Sequence, residues 1–282
     1  MPELPEVETM RRGIADAVGS RVINVEKVRC PCKPIQISPA LGAFRRRVQG
    51  ATVAKLDRAG KRVVIWLDTE DAIVIEPRMT GLVLVARPPT PKHLRWRLRL
   101  ENCRHDEILY WDRRGLGNVR LFSQTEFQEQ FGPAKLGPDA LQITAIQFEQ
   151  QLGRSQREIK PALLDQLAVA GIGNLYASEI LHASRIHPQR RCARMNGAQW
   201  QALTSATHQV LEEAIRHEGS TLSDGTYRNA LNKQGGYQNE HRVYDRAGKA
   251  CLRCKSIKVQ RIVQTGRSTF FCANCQNRGG AW

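Results

Sequence analysis

Residues 251–275 read CLRCKSIKVQRIVQTGRSTFFCANC. Two pairs, Cys251-Leu-Arg-Cys254 and Cys272-Ala-Asn-Cys275, stand 17 residues apart. Such C-x2-C pairs fit a tetrahedral four-cysteine zinc site, each pair in a tight knuckle. The residues between them read as a hairpin, Ile257–Val263 and Ser268–Phe271, turning near Thr265-Gly266. Two disulfides are the other reading of four cysteines, and the absence of a secretion signal favours metal. A segment of roughly 40 residues so poor in apolar side chains needs the metal to fold. The remaining cysteines, Cys30, Cys32, Cys103 and Cys192, show no second ligand spacing and read as free thiols.

The same segment is lopsided in charge. Residues 241–282 hold nine lysines and arginines against the single acid Asp245, a net of +8. The whole chain of 282 residues has 43 Lys+Arg against 27 Asp+Glu, a formal net charge of +16. A solvated basic face explains any one of these lysines, whereas a whole terminal segment of one sign points to nucleic acid. At 41% hydrophobic residues the chain can bury real cores, which excludes a disordered basic tail. No apolar run approaches the ~20 residues of a membrane span, in line with a mean hydropathy of −0.44. The start, Met-Pro-Glu-Leu-Pro-Glu, is acidic and broken by proline, unlike a secretory or transit peptide, so a soluble protein of the cytoplasm is expected.

Outward from the cysteines the chain divides in two. Between residue 22 and about 123, short β-rich runs alternate with turn signals: Arg62–Leu67, Ala72–Ile75, Leu82–Ala86, the alternating Leu94–Leu100, Glu107–Trp111 and Val119–Phe122. That spacing predicts an antiparallel sandwich or barrel. Ahead of it, Val7, Met10 and Ile14 fall on one helix face. From about 124 to 240 the pattern is helical, over Phe127–Phe131, Pro161–Val169, Asn174–Ser184 and Gly197–Glu218. A multidomain α+β protein is expected. It has an N-terminal helix plus β-sandwich over 1–130, a helical domain over 131–240 and a zinc-finger hairpin over 241–282.

The first residues carry a chemical possibility. Removal of Met1 would leave Pro2 as a free secondary amine. An α-amino group titrates near 8 and a lysine near 10.4, so at pH 7 about 10% of the former is neutral against well under 0.1% of the latter. A secondary amine attacking an aldehydic sugar carbon gives an iminium that stays cationic, a good electron sink for elimination. Glu3 beside it can trade protons, and Glu6 lies three residues on. Proline and glutamate at a helix start are equally a stock N-terminal cap.

Met1-Pro-Glu-Leu-Pro-Glu-Val-Glu-Thr9 resembles the N-terminus of the formamidopyrimidine-DNA glycosylases of the Fpg/Nei family, and the similarity runs through the whole chain in order. Lys61 matches the family's lysine on a β-hairpin. Met79 in Pro-Arg-Met-Thr-Gly, with Arg114 and Leu116 in Asp112-Arg-Arg-Gly-Leu-Gly117, falls where the family has void-filling residues. Leu136-Gly-Pro-Asp139 matches the entry to the helical domain. Lys160–Asp165 and Val169–Glu179 are similar to the helix-two-turns-helix motif, and Arg267 precedes the second knuckle of the finger.

The resemblance implies a bifunctional DNA glycosylase and abasic-site lyase of base-excision repair, acting on formamidopyrimidines and 8-oxoguanine. In that scheme Pro2 is the Schiff-base nucleophile, Glu3 the proton donor and Glu6 its support. Lys61 and Arg267 are phosphate contacts and proton donors for the successive β- and δ-eliminations. The implied DNA contacts are His93, Arg95, Arg114, Lys160 and Asn174, with Met79 and Leu116 filling the hole left by a flipped base. Taken alone, Met79 and Leu116 would read as core, the lysines as surface charge, and Gly171-Ile-Gly173-Asn174 as a helix cap. The zinc is structural, held by Cys251, Cys254, Cys272 and Cys275, since four thiolates leave no open position. Double-stranded DNA with oxidised bases is the expected partner of a monomer in the bacterial cytoplasm, associated with the nucleoid.

Two alternatives stand beside this one. An endonuclease VIII-like enzyme for oxidised pyrimidines is disfavoured by Leu4-Pro-Glu-Val-Glu8, and a non-catalytic damaged-DNA reader by the intact Pro2, Glu3, Glu6 and Lys61. The chain departs from the family at three places. Gly115 and Leu116 stand where arginine and phenylalanine are usual, Arg95 stands for a second histidine, and Asp224–Gln238 is unfamiliar. A leucine can wedge but not stack, and loss of one phosphate contact is expected at Gly115.

Overall fold

The computed structural model describes residues 2–277; Met1, on whose removal the Pro2 chemistry depends, and Arg278 of the basic segment lie outside the described residues. Chain order is α1 (Leu4–Gly13), β1 (Arg21–Lys27), β2 (Gln36–Ser38), α2 (Leu41–Val48), β3 (Val53–Arg58), β4 (Val63–Leu67), β5 (Ala72–Glu76), β6 (Gly81–Leu84), β7 (Leu94–Glu101), β8 (Glu107–Asp112), β9 (Asn118–Phe122) and α3 (Gln124–Phe131). There follow α4 (Ala145–Leu152), α5 (Ile159–Leu163), α6 (Asn174–Ala183), α7 (Gly197–Arg216) and the hairpin β10 (Gln260–Gln264) and β11 (Arg267–Phe271). Two compact units result. One holds the chain up to Gly132 with Ile215–Gln238, the other Pro133–Ala214 with the residues from Asn239 onward.

The first unit is a sandwich of two sheets, ordered β1-β7-β8-β6 and β2-β9-β5-β4-β3. Central strands are apolar on both faces: β5 is buried at every position. β7 instead alternates, with Trp96, Leu98 and Leu100 inward and Arg97 and Arg99 toward Glu26. Helix α1 lays Val7, Met10 and Ile14 into the shared core, as their spacing predicts. One pairing is not antiparallel: β2 runs parallel to β9. Helix α2 was absent from the sequence reading, although Leu41, Phe44 and Val48 have helical spacing; Phe44 meets Trp96 edge-on at 6.3 Å. The segment 215–238 joins this unit because Tyr227 and Ala230 enter its core and Val85 N–H bonds the Ala230 carbonyl at 2.9 Å.

In the second unit α5 ends at Leu163, short of the expected Val169, because the chain turns twice before α6. Helix α7 buries Trp200, Leu203, Thr207, Leu211 and Ala214, one stripe at helical spacing. Val243, Val259 and Phe270 gather around Cys251 and Cys272. Glu179 of α6, almost fully buried, anchors the way into this finger by accepting the N–H groups of Arg242, Val243 and Tyr244 at 2.7–3.0 Å. Burial pushes its carboxyl above the usual range against those three hydrogen bonds. Among the described residues no helix is long and apolar enough to cross a membrane.

Candidate active site

Pro2 and Glu3 sit buried at the start of α1. Glu6 holds them there. Its Oε2 accepts the N–H of Glu3 at 2.8 Å, and its Oε1 accepts the N–H of Ser220 at 2.9 Å. One carboxylate thus joins the helix start to Ser220, just ahead of the unfamiliar Asp224–Gln238. Beyond it, Thr221 Oγ1 donates to the Tyr227 carbonyl and accepts from Gly235 N–H. Glu8, one turn along α1, bonds Arg11 and Arg12 and faces Arg58. Burial raises its carboxyl, but these guanidinium partners outweigh that and hold it below the usual range. Lys61 lies in the turn between β3 and β4, half-buried.

Met79, Arg114 and Leu116, expected from the resemblance to fill a void, are all exposed. Met79 is 40% and Leu116 36% exposed, too open for core, and Arg114 Nη1 stands 3.0 Å from the Met79 sulfur. Asp112, fully buried, ties together the β5–β6 turn that carries Met79 and the β8–β9 turn that carries Arg114 and Leu116. Its carboxylate accepts the N–H groups of Arg114, Leu116 and Gly117 at 3.1, 2.8 and 2.9 Å and the hydroxyl of Thr80 at 2.5 Å. Asp112 and Thr80 had no assigned role in the sequence reading; the signal was an acid set directly before a glycine-rich turn. Arg78, next to Met79, is held in the left-handed region at φ 52° with its guanidinium on Glu76 at 2.9 Å.

Arg95 is a correction. It is 2% exposed, with Nε on the Asp112 carbonyl at 2.8 Å and Nη1 on Cys30 Sγ at 2.6 Å, so it braces the wedge loop from inside instead of facing a phosphate. His93, half-buried, packs edge-on against Trp111 at 5.4 Å. Partial burial, then the neighbouring Arg95 and Lys92, hold its imidazole below the usual range. Gly115 has φ 62°, and a Cβ there would run into the Lys33 carbonyl. The missing arginine is therefore matched by the β1–β2 loop, which leaves no room for any side chain.

In the second unit Lys160 is the other correction. It is 1% exposed, and its ammonium donates to Asn174 Oδ1 at 2.6 Å, Thr269 Oγ1 at 2.7 Å and the Ser268 carbonyl at 2.9 Å. Burial and three internal acceptors make it a brace, not an exposed phosphate contact. Asn174 opens α6 and also gives Nδ2–H to the Ser268 carbonyl. Arg267 stands exposed beside Ser268 at the start of β11. Gln166 holds the turn before α6 by accepting Gly171 N–H and donating to the Ile172 carbonyl, each at 2.9 Å. No motif marked it.

The sulfurs of Cys251, Cys254, Cys272 and Cys275 all lie within 4.8 Å of one another, with Cys251–Cys275 at 3.8 Å and Cys254–Cys272 at 3.7 Å. A zinc tetrahedron with Zn–S bonds near 2.3 Å has edges of about 3.8 Å, so the cluster fits one structural Zn2+. His182, buried against this site, has Nε2 3.6 Å from Cys251 Sγ. Its imidazole is lowered to about 4, by burial first and then by Arg253 and Arg242.

Family profiles match in chain order: the formamidopyrimidine-DNA glycosylase N-terminal domain over residues 1–119, its H2TH domain over 136–226, and the zinc finger found in FPG and IleRS over 248–278. The formamidopyrimidine-DNA glycosylase of Chloroflexus aurantiacus is 37% identical over 98% of both chains. The chain belongs to the formamidopyrimidine-DNA glycosylase family. The enzyme of Streptococcus thermophilus is 35% identical across 99% of this chain and all of its own. Among solved structures, MutM (FPG) of Thermus thermophilus superposes with a TM-score of 0.84 at 33% identity, covering 99% of this chain and 100% of its own. Lactococcus lactis Fpg in complex with abasic-site DNA gives 0.84 at 29% identity, covering 98% and 99%. Within the formamidopyrimidine-DNA glycosylase family, the four cysteines are the zinc finger that the third profile describes.

Proposed function

We propose that this protein is a DNA-repair glycosylase that removes oxidised purines and then cuts the strand as a lyase. The reading rests on one observation above the others. A family member keeps Pro2 and Glu3 buried at a helix start, with Glu6 bracing the Glu3 backbone. Once Met1 is removed, the Pro2 nitrogen attacks C1′ of the damaged nucleotide and the base departs. Glu3 supplies the proton for ring opening and exchanges protons afterwards. The iminium acidifies the neighbouring sugar carbon, and the 3′ and then the 5′ phosphate leave. Lys61 and Arg267 are the cationic partners of those phosphates and donate protons during the two eliminations. Asn174 contributes a phosphate contact at the α6 N-terminus, His93 a further backbone contact, and Met79, Arg114 and Leu116 occupy the gap left by the flipped base. Zinc holds the finger that carries Arg267. The protein works as a monomer on duplex DNA in the cytoplasm.

The test is borohydride trapping on a duplex with one 8-oxoguanine opposite cytosine, followed by mass mapping. An adduct on Pro2, absent from correctly processed Pro2→Gly protein, is the expected result. Trapping on an abasic site alone would reopen the choice between oxidised purines and oxidised pyrimidines. DNA binding with no adduct on either would leave a damaged-DNA reader.

A further inference from the structure

The first unit holds a cleft of about 410 Å³ under the β1–β2 loop that no step above uses. Its wall carries the partly exposed thiols Cys30 and Cys32, and it is edged by Lys27 and Arg29. Arg95 reaches it from below, almost wholly buried, and among the described residues its Nη2 has no hydrogen-bond partner. Its Nη1 is 2.6 Å from Cys30 Sγ, which in turn contacts the Lys92 carbonyl at 3.0 Å. A buried guanidinium with an unused donor makes the floor of the cleft electropositive, and reactive cysteines sit in electropositive, partly exposed surroundings of this kind. The volume lies within the range of small-molecule sites.

We propose that this cleft is a thiol-modification site, in which Cys30 exchanges with a small disulfide bearing carboxylates. Lys27, Arg29 and Arg95 attract the carboxylates. The Cys30 thiolate attacks one sulfur of the disulfide, the new S–S bond forms as the old one breaks, and the departing thiolate takes up the proton that Cys30 gave. The other thiols are poorer candidates. Cys192 is fully buried, and burial pushes its thiol up to about 11. Cys103 rests on the Asp16 carbonyl outside this cleft, and the finger cysteines hold zinc. The modified Cys30 gives up its contacts to Lys92 and Arg95. Any consequence for DNA rests on the reading of His93 above; the modification does not.

The experiment uses the zinc-loaded full chain, with zinc release followed by a chromogenic chelator. Glutathione disulfide, which is anionic, and cystamine, which is dicationic, are compared, their rates normalised to a free cysteine peptide and the labelled residue mapped by mass spectrometry. The expected first adduct is on Cys30, formed about tenfold faster with the anionic reagent, an advantage that shrinks at high salt. Cys30→Ser should abolish this phase. Lys27→Gln with Arg29→Gln, both on the surface, should narrow the difference between the reagents while Cys30 remains the residue labelled. A first adduct on Cys32 or Cys103, or equal normalised rates for the two reagents, overturns the proposal.

Discussion

Asp112 in the first unit and Lys160 in the second do the same work with opposite charge. Each is almost wholly buried, and each holds the backbone beneath exposed groups that face DNA in the proposed function. The buried carboxylate collects donors, so the N–H groups of Arg114, Leu116 and Gly117 are spent inside. What that turn offers solvent is side chain, Leu116 flanked by Arg113 and Arg114, with Met79 from the β5–β6 turn beside Arg114, which suits bases and their edges. The buried ammonium collects acceptors, drawing the Ser268 carbonyl and Asn174 Oδ1 inward. Electronegative atoms are thereby withdrawn from the surface around Arg267, which suits a phosphate. The sign of the hidden charge decides which half of the backbone remains outside.

Metal separates the two corners most sharply. Ser268 belongs to the zinc-finger hairpin, whereas Asp112 has no link to it in the chain. Structural zinc contributes roughly 10–16 kcal/mol to folding such a module. Chelation should therefore unfold β10–β11 and lower DNA affinity about a hundredfold, because half the net charge loses its fixed geometry. Hydrogen exchange is the measurement. β10–β11 amides should exchange freely while β4 and β5 stay protected, and equal loss in both would show that the corners are not independent.

Lys160→Met is the next largest effect. One buried and two partly buried acceptors lose a charged donor, at about 1–3 kcal/mol for each left unsatisfied. The Asn174 amide still reaches Ser268 and a threonine hydroxyl can turn, so the expected loss is about 3 kcal/mol by denaturant melt, with weaker DNA binding. Asp112→Asn should cost less, about 2 kcal/mol, since the amide keeps one acceptor for the N–H donors but loses the charge. Its binding defect should be largest for DNA in which a base must be flipped. A variant equally weak on undamaged duplex would mean that the Asp112 loop acts on phosphates after all.

Much of this was legible in the chain because covalent spacing carries it. The cysteine pairs, the Val7–Met10–Ile14 stripe and the alternation of β7 each state their geometry locally. The braces were not legible, since their partners are distant in sequence. Lys160 meets Ser268 and Thr269 more than a hundred residues on, and Glu6 meets Ser220 across 214. A family resemblance carries a role from position to position without showing burial, and charged residues are mostly exposed, so Lys160 and Arg95 were expected on the DNA side. Helix α2 escaped because Arg45, Arg46 and Arg47 mask a stripe of only three apolar residues.

The smallest expected effect tests the loop itself. Gly115→Ala drives a Cβ into the Lys33 backbone carbonyl at a φ of 62°. An L-residue in that region costs about 1–2 kcal/mol, and the clash is with backbone, so relief requires the β1–β2 loop or the wedge loop to move. If the wedge loop moves, the Asp112 hydrogen bonds to Leu116 and Gly117 weaken, and the variant should lose lesion-DNA affinity a few-fold beyond its loss in stability. If the β1–β2 loop moves, affinity should hold while the reactivity of Cys30 toward disulfides changes. Measuring both on one preparation identifies which of the two loops is the stiffer. It also decides whether the glycine is there for the wedge or for the cleft beside it.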